Sequence, residues 1–249
     1  MNRGYQPDFS KMYESMHSLD ERRRKAGTMV AILKEALGPR FAKVDVLNLG
    51  CSTGIIDEYI AAHVGTMTGV DIDEPAITLA LSRLVAPNLR FQLGDAMNLG
   101  FPEASFDIVI CSQVYEHVPD AMRMMGEIHR VLRAGGVCYF AATNRWAVIE
   151  KHHRLPFLSW LPAKMADRYM RWAGKGDAYY ERHLGFQPLL DLVSKFRVED
   201  YTGKVLRDPG RYQAAYLFPT KLAQVAARGV HRFMRRLFPG YIWLLWKET

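Results

Sequence analysis

Residues Val44 to Asp57, VDVLNLGCSTGIID, constrain this chain more than any other stretch. An apolar run (Val44, Val46, Leu47, Leu49) breaks at Gly50, passes through the small residues Cys51, Ser52, Thr53 and Gly54, and resumes with helical spacing. That order reads as strand, tight turn and helix. The glycines permit a sharp turn and a close approach of ligand to backbone, and a helix beginning near Ser52 or Thr53 would present unpaired N–H groups at its positive end. Such a corner suits a nucleotide-like ligand, although glycine-rich turns also serve dinucleotides, phosphates or the chain's own geometry.

Residues at fixed distances downstream narrow the choice. Thr66 to Asp71 (TMTGVD) reads as a second strand, and its terminal Asp71 lies 21 residues beyond Gly50. A carboxylate at that distance can accept hydrogen bonds from a ribose diol. Asp73 reads as the cap of a helix over Glu74 to Val85. Leu89 to Leu93 is a third strand; Phe106 to Cys111 (FDIVIC) is a fourth, apolar enough to be central. A helix from Pro119 to Leu132 and the pair Gly135-Gly136 lead into a fifth strand, Val137 to Ala142. Upstream, Phe9 to Leu37 reads as helical, ended by Gly38-Pro39. The alternation implies an α/β fold with a doubly wound, mostly parallel seven-stranded sheet and a ligand crevice at the C-terminal strand ends.

The regular pattern breaks after Asn144. Two insertions, 145–185 and 203–240, flank a helix at Pro188 to Lys195 and a strand at Phe196 to Tyr201, and Tyr241 to Trp246 (YIWLLW) closes the sheet. The expected organisation is one domain over 1–249: a helical cap (1–40), a cofactor-binding core (44–144), and insertions forming a substrate lid.

At 249 residues, 49% hydrophobic and 24% charged, the chain can bury one substantial core. No apolar run approaches the roughly 18 to 20 residues that span a bilayer, and MNRGYQPDFSK lacks a signal-peptide apolar segment. The chain therefore reads as cytosolic, or as peripheral to the inner face of a membrane. Cys51, Cys111 and Cys138 have no paired spacing, which argues against disulfides or zinc, and no metal is expected. Charge is uneven: Met1 to Asn144 holds 14 basic and 17 acidic residues, Arg145 to Thr249 holds 19 and 9. The basic second part points to an anionic surface or substrate, or to a merely solvated face.

Four segments occur in order: VLNLGCSTG, GVDID, GDAMNLGFPEASFDIVICSQVYEHVPD and VLRAGGVCYFAATN. With them the chain resembles the class I S-adenosylmethionine-dependent methyltransferases, in the group that includes ubiquinone and menaquinone biosynthesis enzymes. The resemblance implies S-adenosyl-L-methionine as cofactor. By that likeness Gly50, Cys51, Ser52 and Gly54 form the loop under the methionine moiety, Asp71 binds the ribose hydroxyls, and Ile72 flanks the adenine. Asp95 would accept from the adenine amine, with the Ala96 backbone on the ring edge and Met97 on its face. Gln113 would lie near the sulfonium, and His117 beneath the transferred methyl. Two positions depart from the pattern: Asn48 stands where an acidic residue is usual, which weakens a cofactor contact by about 1 kcal/mol, and Ser52 replaces the middle glycine.

Methyl transfer from a sulfonium is an in-line displacement, so an enzyme chiefly positions the reactants and, for an oxygen acceptor, removes a proton. His117 is the candidate base, with a structural histidine as the alternative; Glu116 and Tyr115 come next. Tyr13, Trp146 and His152 are candidates for the acceptor pocket, and of the adjacent His152 and His153 only one should face it. CSQVYEH lacks the Asn/Asp-Pro-Pro-aromatic sequence of base-methylating enzymes, so nucleic acid is not expected as a partner. Residues 220–237 form a basic amphipathic helix, either a lid packed on the core or a membrane-surface contact. With the aromatic stretch Leu155 to Trp172 it favours a hydrophobic or amphipathic acceptor: a quinone, a lipid or a lipid-linked glycan. Two other readings remain: an NAD-dependent oxidoreductase, and a cofactor-binding regulatory subunit without turnover.

Overall fold

The computed structural model describes residues 16–84, 86–218 and 220–248. Seven strands form one sheet in the order β3-β2-β1-β4-β5-β7-β6. They are β1 (Asp45–Leu49), β2 (Thr66–Asp71), β3 (Leu89–Leu93), β4 (Phe106–Ser112), β5 (Leu132–Thr143), β6 (Arg197–Asp200) and β7 (Gly240–Trp246). β1 to β5 pair in parallel; β7 runs antiparallel to both β5 and β6. The expected doubly wound sheet is present, and its order reverses between β1 and β4, where such sheets open a crevice.

The helices are α1 (Leu19–Leu37), α2 (Ile55–Ala61), α3 (Glu74–Ser82), α4 (Ala121–Val131), α5 (Ala163–Trp172), α6 (Phe186–Leu192), α7 (Thr202–Arg207) and α8 (Lys221–Phe233). Period-two alternation splits the core. Val46, Ile108, Ile110 and Tyr139 face α1 and α2, whereas Leu47, Leu49, Val109 and Cys111 face α4 and α6. Ile108 to Cys111 are inaccessible on both faces, as the apolar run of β4 requires. The insertion after β5 has its own small core of Leu158, Ala166, Met170 and Tyr179. All three cysteines are buried and unpaired.

Boundaries differ from the sequence reading where side chains capture backbone groups. The described part of the first helix begins at Leu19 because Ser18 accepts from Glu21 N; Tyr13 lies outside the described residues. α3 is capped by Asp73 but ends at Ser82, and α4 starts after the Asp120 cap rather than at Pro119. β5 begins five residues early, at Leu132, because Leu132 already pairs with Phe106 of β4 before the glycine pair, with a register shift between Phe106 and Ile108. α2 begins at Ile55, not Ser52, because Ser52 (φ 52°) and Gly54 (φ 76°) hold left-handed conformations that exclude them from the helix.

Candidate functional site

The loop after β1 is held by β2. Gly50 N and Cys51 N both donate to Val70 O, and Ser52 N donates to Asp71 Oδ2 at 2.7 Å. The other oxygen, Asp71 Oδ1, accepts from Asp73 N at 2.9 Å. The amide expected to face a ligand is thus spent on Asp71, and it is the carboxylate that faces the crevice. Burial raises the Asp71 pKa, against which the Asp73 and Ser52 amides favour the ionised form. At Gly50, φ is +69° and a Cβ would lie 2.8 Å from Val114 Cγ2, so glycine is required twice over. Ser52 Oγ is buried and lacks a hydrogen-bond partner, an unsatisfied group pointing to a polar ligand.

A cavity of about 750 Å³ opens here, lined by Gly50, Ser52, Asp71, Ile72, Ala96 and Gln113 from the strand ends. α1 adds Arg22, Lys25 and Met29. The opposite wall carries His117 and His152, and 203–240 contributes Leu206, Tyr216, Leu217, Phe218 and Phe238. Thr53 Oγ1 donates to Met16 O, drawing the segment before α1 over the loop.

Several expected site residues stand behind this surface. Cys51 is buried beneath the loop, and Gly54 packs against Phe91, where a Cβ would meet Cζ at 2.4 Å. Asp95 accepts from Met97 N, and Met97 Sδ accepts from Asp120 N, shaping the turn whose Gly94 and Ala96 line the cavity. Gln113 takes a left-handed φ of 59° at the end of β4, and its Oε1 accepts from Thr143 Oγ1 at 2.5 Å. Trp146 does not line the cavity; it packs edge to face on Trp160 with ring centroids 5.5 Å apart. Of the histidine pair, His152 faces the cavity, and His153 turns to Glu181 at 3.3 Å.

Sequence pattern does not single out Arg22. It is only 7% exposed, lines the cavity, and its Nε has no hydrogen-bond partner. Burial lowers its pKa, partly countered by Asp57, Cys51 and Asp71. In the sequence it sits in the run Glu21 to Lys25, where a solvated charge looks the same.

Beneath the second wall lies a buried cluster of Glu116, Glu150 and Glu181 with His117, His152, His153 and His183. Backbone pairing assembles it: Arg182 N donates to Glu116 O and Arg145 N to Leu184 O, laying the end of the first insertion beside its beginning. Tyr115 is a packing residue whose hydroxyl donates to Thr143 O and accepts from Leu184 N. Burial lowers the His117 pKa. Burial would raise Glu116, but His152, His117 and His183 hold it below its ordinary value.

Comparison with known proteins bears on this geometry. Residues 47–140 match the family model described as a methyltransferase domain. Residues 47–140 are a methyltransferase domain. The chain is similar to the ubiquinone biosynthesis O-methyltransferase of Coxiella burnetii, with 34% identity over 102 residues covering 40% of this chain and 44% of that protein. It is similar to a probable S-adenosylmethionine-dependent methyltransferase of Mycolicibacterium smegmatis, with 36% identity over 114 residues, 46% of this chain and 44% of that one. The similarity thus spans less than half the length of these curated relatives. The plantazolicin methyltransferase BpumL shares the fold, with a TM-score of 0.61 at 17% identity over 96% of this chain and 89% of that one. The methyltransferase domain covers the loop, Asp71, Asp95 and His117; His152, His183 and the second insertion fall outside it.

Proposed function

We propose that the protein transfers a methyl group from S-adenosylmethionine to an oxygen or carbon of a hydrophobic or amphipathic small molecule. One observation carries this reading: a single cavity joins the Gly50–Ser52 loop and Asp71 to the His117–His152 wall and to the apolar residues of the second insertion. The cavity suits the cofactor by its own chemistry. Asp71 accepts from the ribose hydroxyls, the unpartnered Ser52 Oγ and Arg22 Nε meet polar and carboxylate groups of the methionine moiety, and the turn at Gly94–Ala96 receives the adenine. Bound there, the cofactor supplies an electrophilic methyl. The chain supplies position: Gln113, locked by Thr143, closes one side of the crevice, and His117 on the facing wall accepts a proton from an acceptor hydroxyl.

The acceptor class is suggested by the far end of the cavity, where Leu206, Tyr216, Leu217, Phe218 and Phe238 form an apolar lid. α8 adds a second argument. Its polar side chains face the protein: Gln224 and Arg228 both donate to Leu206 O, and His231 lies 3.6 Å from Asp200. Its apolar side chains face outward, with Leu222 78% and Phe233 81% exposed, flanked by exposed Lys221, Arg232 and Arg236. A helix that lidded the core with its apolar face would do the reverse. This orientation supports contact with an anionic membrane surface, from which a lipid-like acceptor is drawn. Among the described residues no helix is long and apolar enough to cross a membrane.

Calorimetric titration with S-adenosylhomocysteine, with NAD as a control, followed by a labelled-methyl screen of quinone and lipid extracts, tests the reading. Micromolar binding of the thioether and label in an organic-soluble product are expected. Binding without transfer to any extract would favour a regulatory subunit, and binding of NAD alone would overturn the assignment.

A further inference from the structure

Apart from His117, the buried glutamate–histidine cluster has a composition that methyl transfer does not call for. Glu116, Glu150 and Glu181 are all inaccessible at their side chains, and Lys151 interacts electrostatically with Glu116 and Glu150. Three carboxylates and four imidazoles thus share this buried volume, and buried charge persists only when paired or bound to metal.

Within it, Glu150, His152 and His183 each offer a ligand atom, and the three atoms lie within 4.8 Å of one another. His183 Nε2 stands 3.3 Å from Glu150 Oε1. Charge-assisted hydrogen bonds of this kind are usually about 2.7–2.9 Å long. Two ligands on a tetrahedral ion with bonds of about 2.0–2.1 Å are about 3.3 Å apart. Glu150 is already oriented, because its Oε2 accepts from His153 N at 2.7 Å. His152 completes the set and also lines the cavity.

We propose that Glu150, His152 and His183 bind a divalent transition-metal ion. Two imidazoles and one carboxylate select a borderline ion such as Zn2+ over the oxygen-seeking Mg2+ or Ca2+. The ligands come from both ends of the first insertion, Glu150 and His152 near its start and His183 near its close, so the ion clips the insertion at its base. Cysteine spacing could not have indicated this site, because no cysteine takes part. Metal binding here does not depend on methyl transfer.

The test uses the full chain, stripped with a chelator and titrated with Zn2+, with Mg2+ as control, beside His183→Ala and Glu150→Gln. One equivalent of Zn2+ bound, a rise in thermal midpoint, and at least tenfold weaker binding in both variants are expected, with S-adenosylhomocysteine affinity retained in folded variants. Zn2+ affinity equal in wild type and variants, or no Zn2+ binding by the wild type, overturns the proposal. Should a variant fail to fold, Co2+ added to the wild type decides: intense visible d–d bands support a four- or five-coordinate site, and the pale spectrum of the aqua ion refutes it.

Discussion

Asn48 Nδ2 donates to Asp57 Oδ2 across 2.9 Å, joining the end of β1 to the first turns of α2 in a fully buried pair. The acid missing at position 48 is thus present nine residues later, on the helix, and Asn48 is turned toward it rather than toward the cavity alone. Burial raises the Asp57 pKa from 3.8 to about 7, against the Asn48 hydrogen bond and Arg22.

The sign of the resulting pH dependence is fixed. Because the folded state holds the Asp57 proton more tightly than the unfolded chain, its contribution is present in acid and is lost as pH rises from about 4 to about 7. Asp57→Asn removes that slope. Comparing urea midpoints at pH 5 and pH 8, the wild type should lose about 1–3 kcal/mol more than the variant over this range; parallel curves would refute the assignment.

Asp71 both binds and braces. Its oxygens accept from Ser52 N and Asp73 N, so Asp71→Ala removes two charge-assisted hydrogen bonds, each about 1.5–3 kcal/mol, and frees the loop. S-adenosylhomocysteine should bind at least tenfold more weakly by calorimetry. Asp71→Asn should not restore it, since its NH2 would oppose one of the two amides. An unchanged Kd in the alanine variant would move the ribose site elsewhere.

Gly54→Ala tests the turn itself. The new methyl would lie 2.4 Å from Phe91 Cζ on a backbone with φ of +76°. A loss of about 1–3 kcal/mol is expected in urea unfolding. Phe91→Ala in the same chain relieves the collision but not the left-handed penalty of about 1 kcal/mol, so rescue should be partial.

For His117, substitution by Gln should lower kcat about 10²–10⁴-fold with little change in the KM for S-adenosylmethionine, as for removal of a general base. A fall in thermal midpoint with kcat preserved would assign it to packing against His152, whose ring centroid is 4.8 Å away.

On α8 and the turn after it, the choice of arginine matters. Arg235 forms an ion pair with Asp200 at 2.8 Å and sits over the Phe186 ring, whereas Arg232 and Arg236 are exposed. Arg232→Glu with Arg236→Glu should weaken sedimentation with anionic liposomes at least tenfold without lowering the thermal midpoint, since each basic residue near such a surface contributes about 1 kcal/mol. Arg235→Glu should destabilise the fold as well. Salt-insensitive absence of binding by the wild type would remove the membrane contact.

The succession of strands and helices, the β1 turn, Asp71 at the end of β2 and the cap at Asp73 were legible in the sequence because each rests on local pattern: period-two alternation, glycine before a helix, a short polar side chain three residues from an amide. The amphipathicity of 221–233 was legible for the same reason. Which face of that helix meets the protein was not, because it depends on Leu206 O and Asp200, which lie 18 to 31 residues away. Tertiary structure alone also turned Trp146 onto Trp160, aimed Arg22 into the cavity, and brought positions 116–117, 150–153 and 181–183 into one buried cluster. Those groupings are set by pairing between distant backbone segments, and no local periodicity encodes a carboxylate's partner.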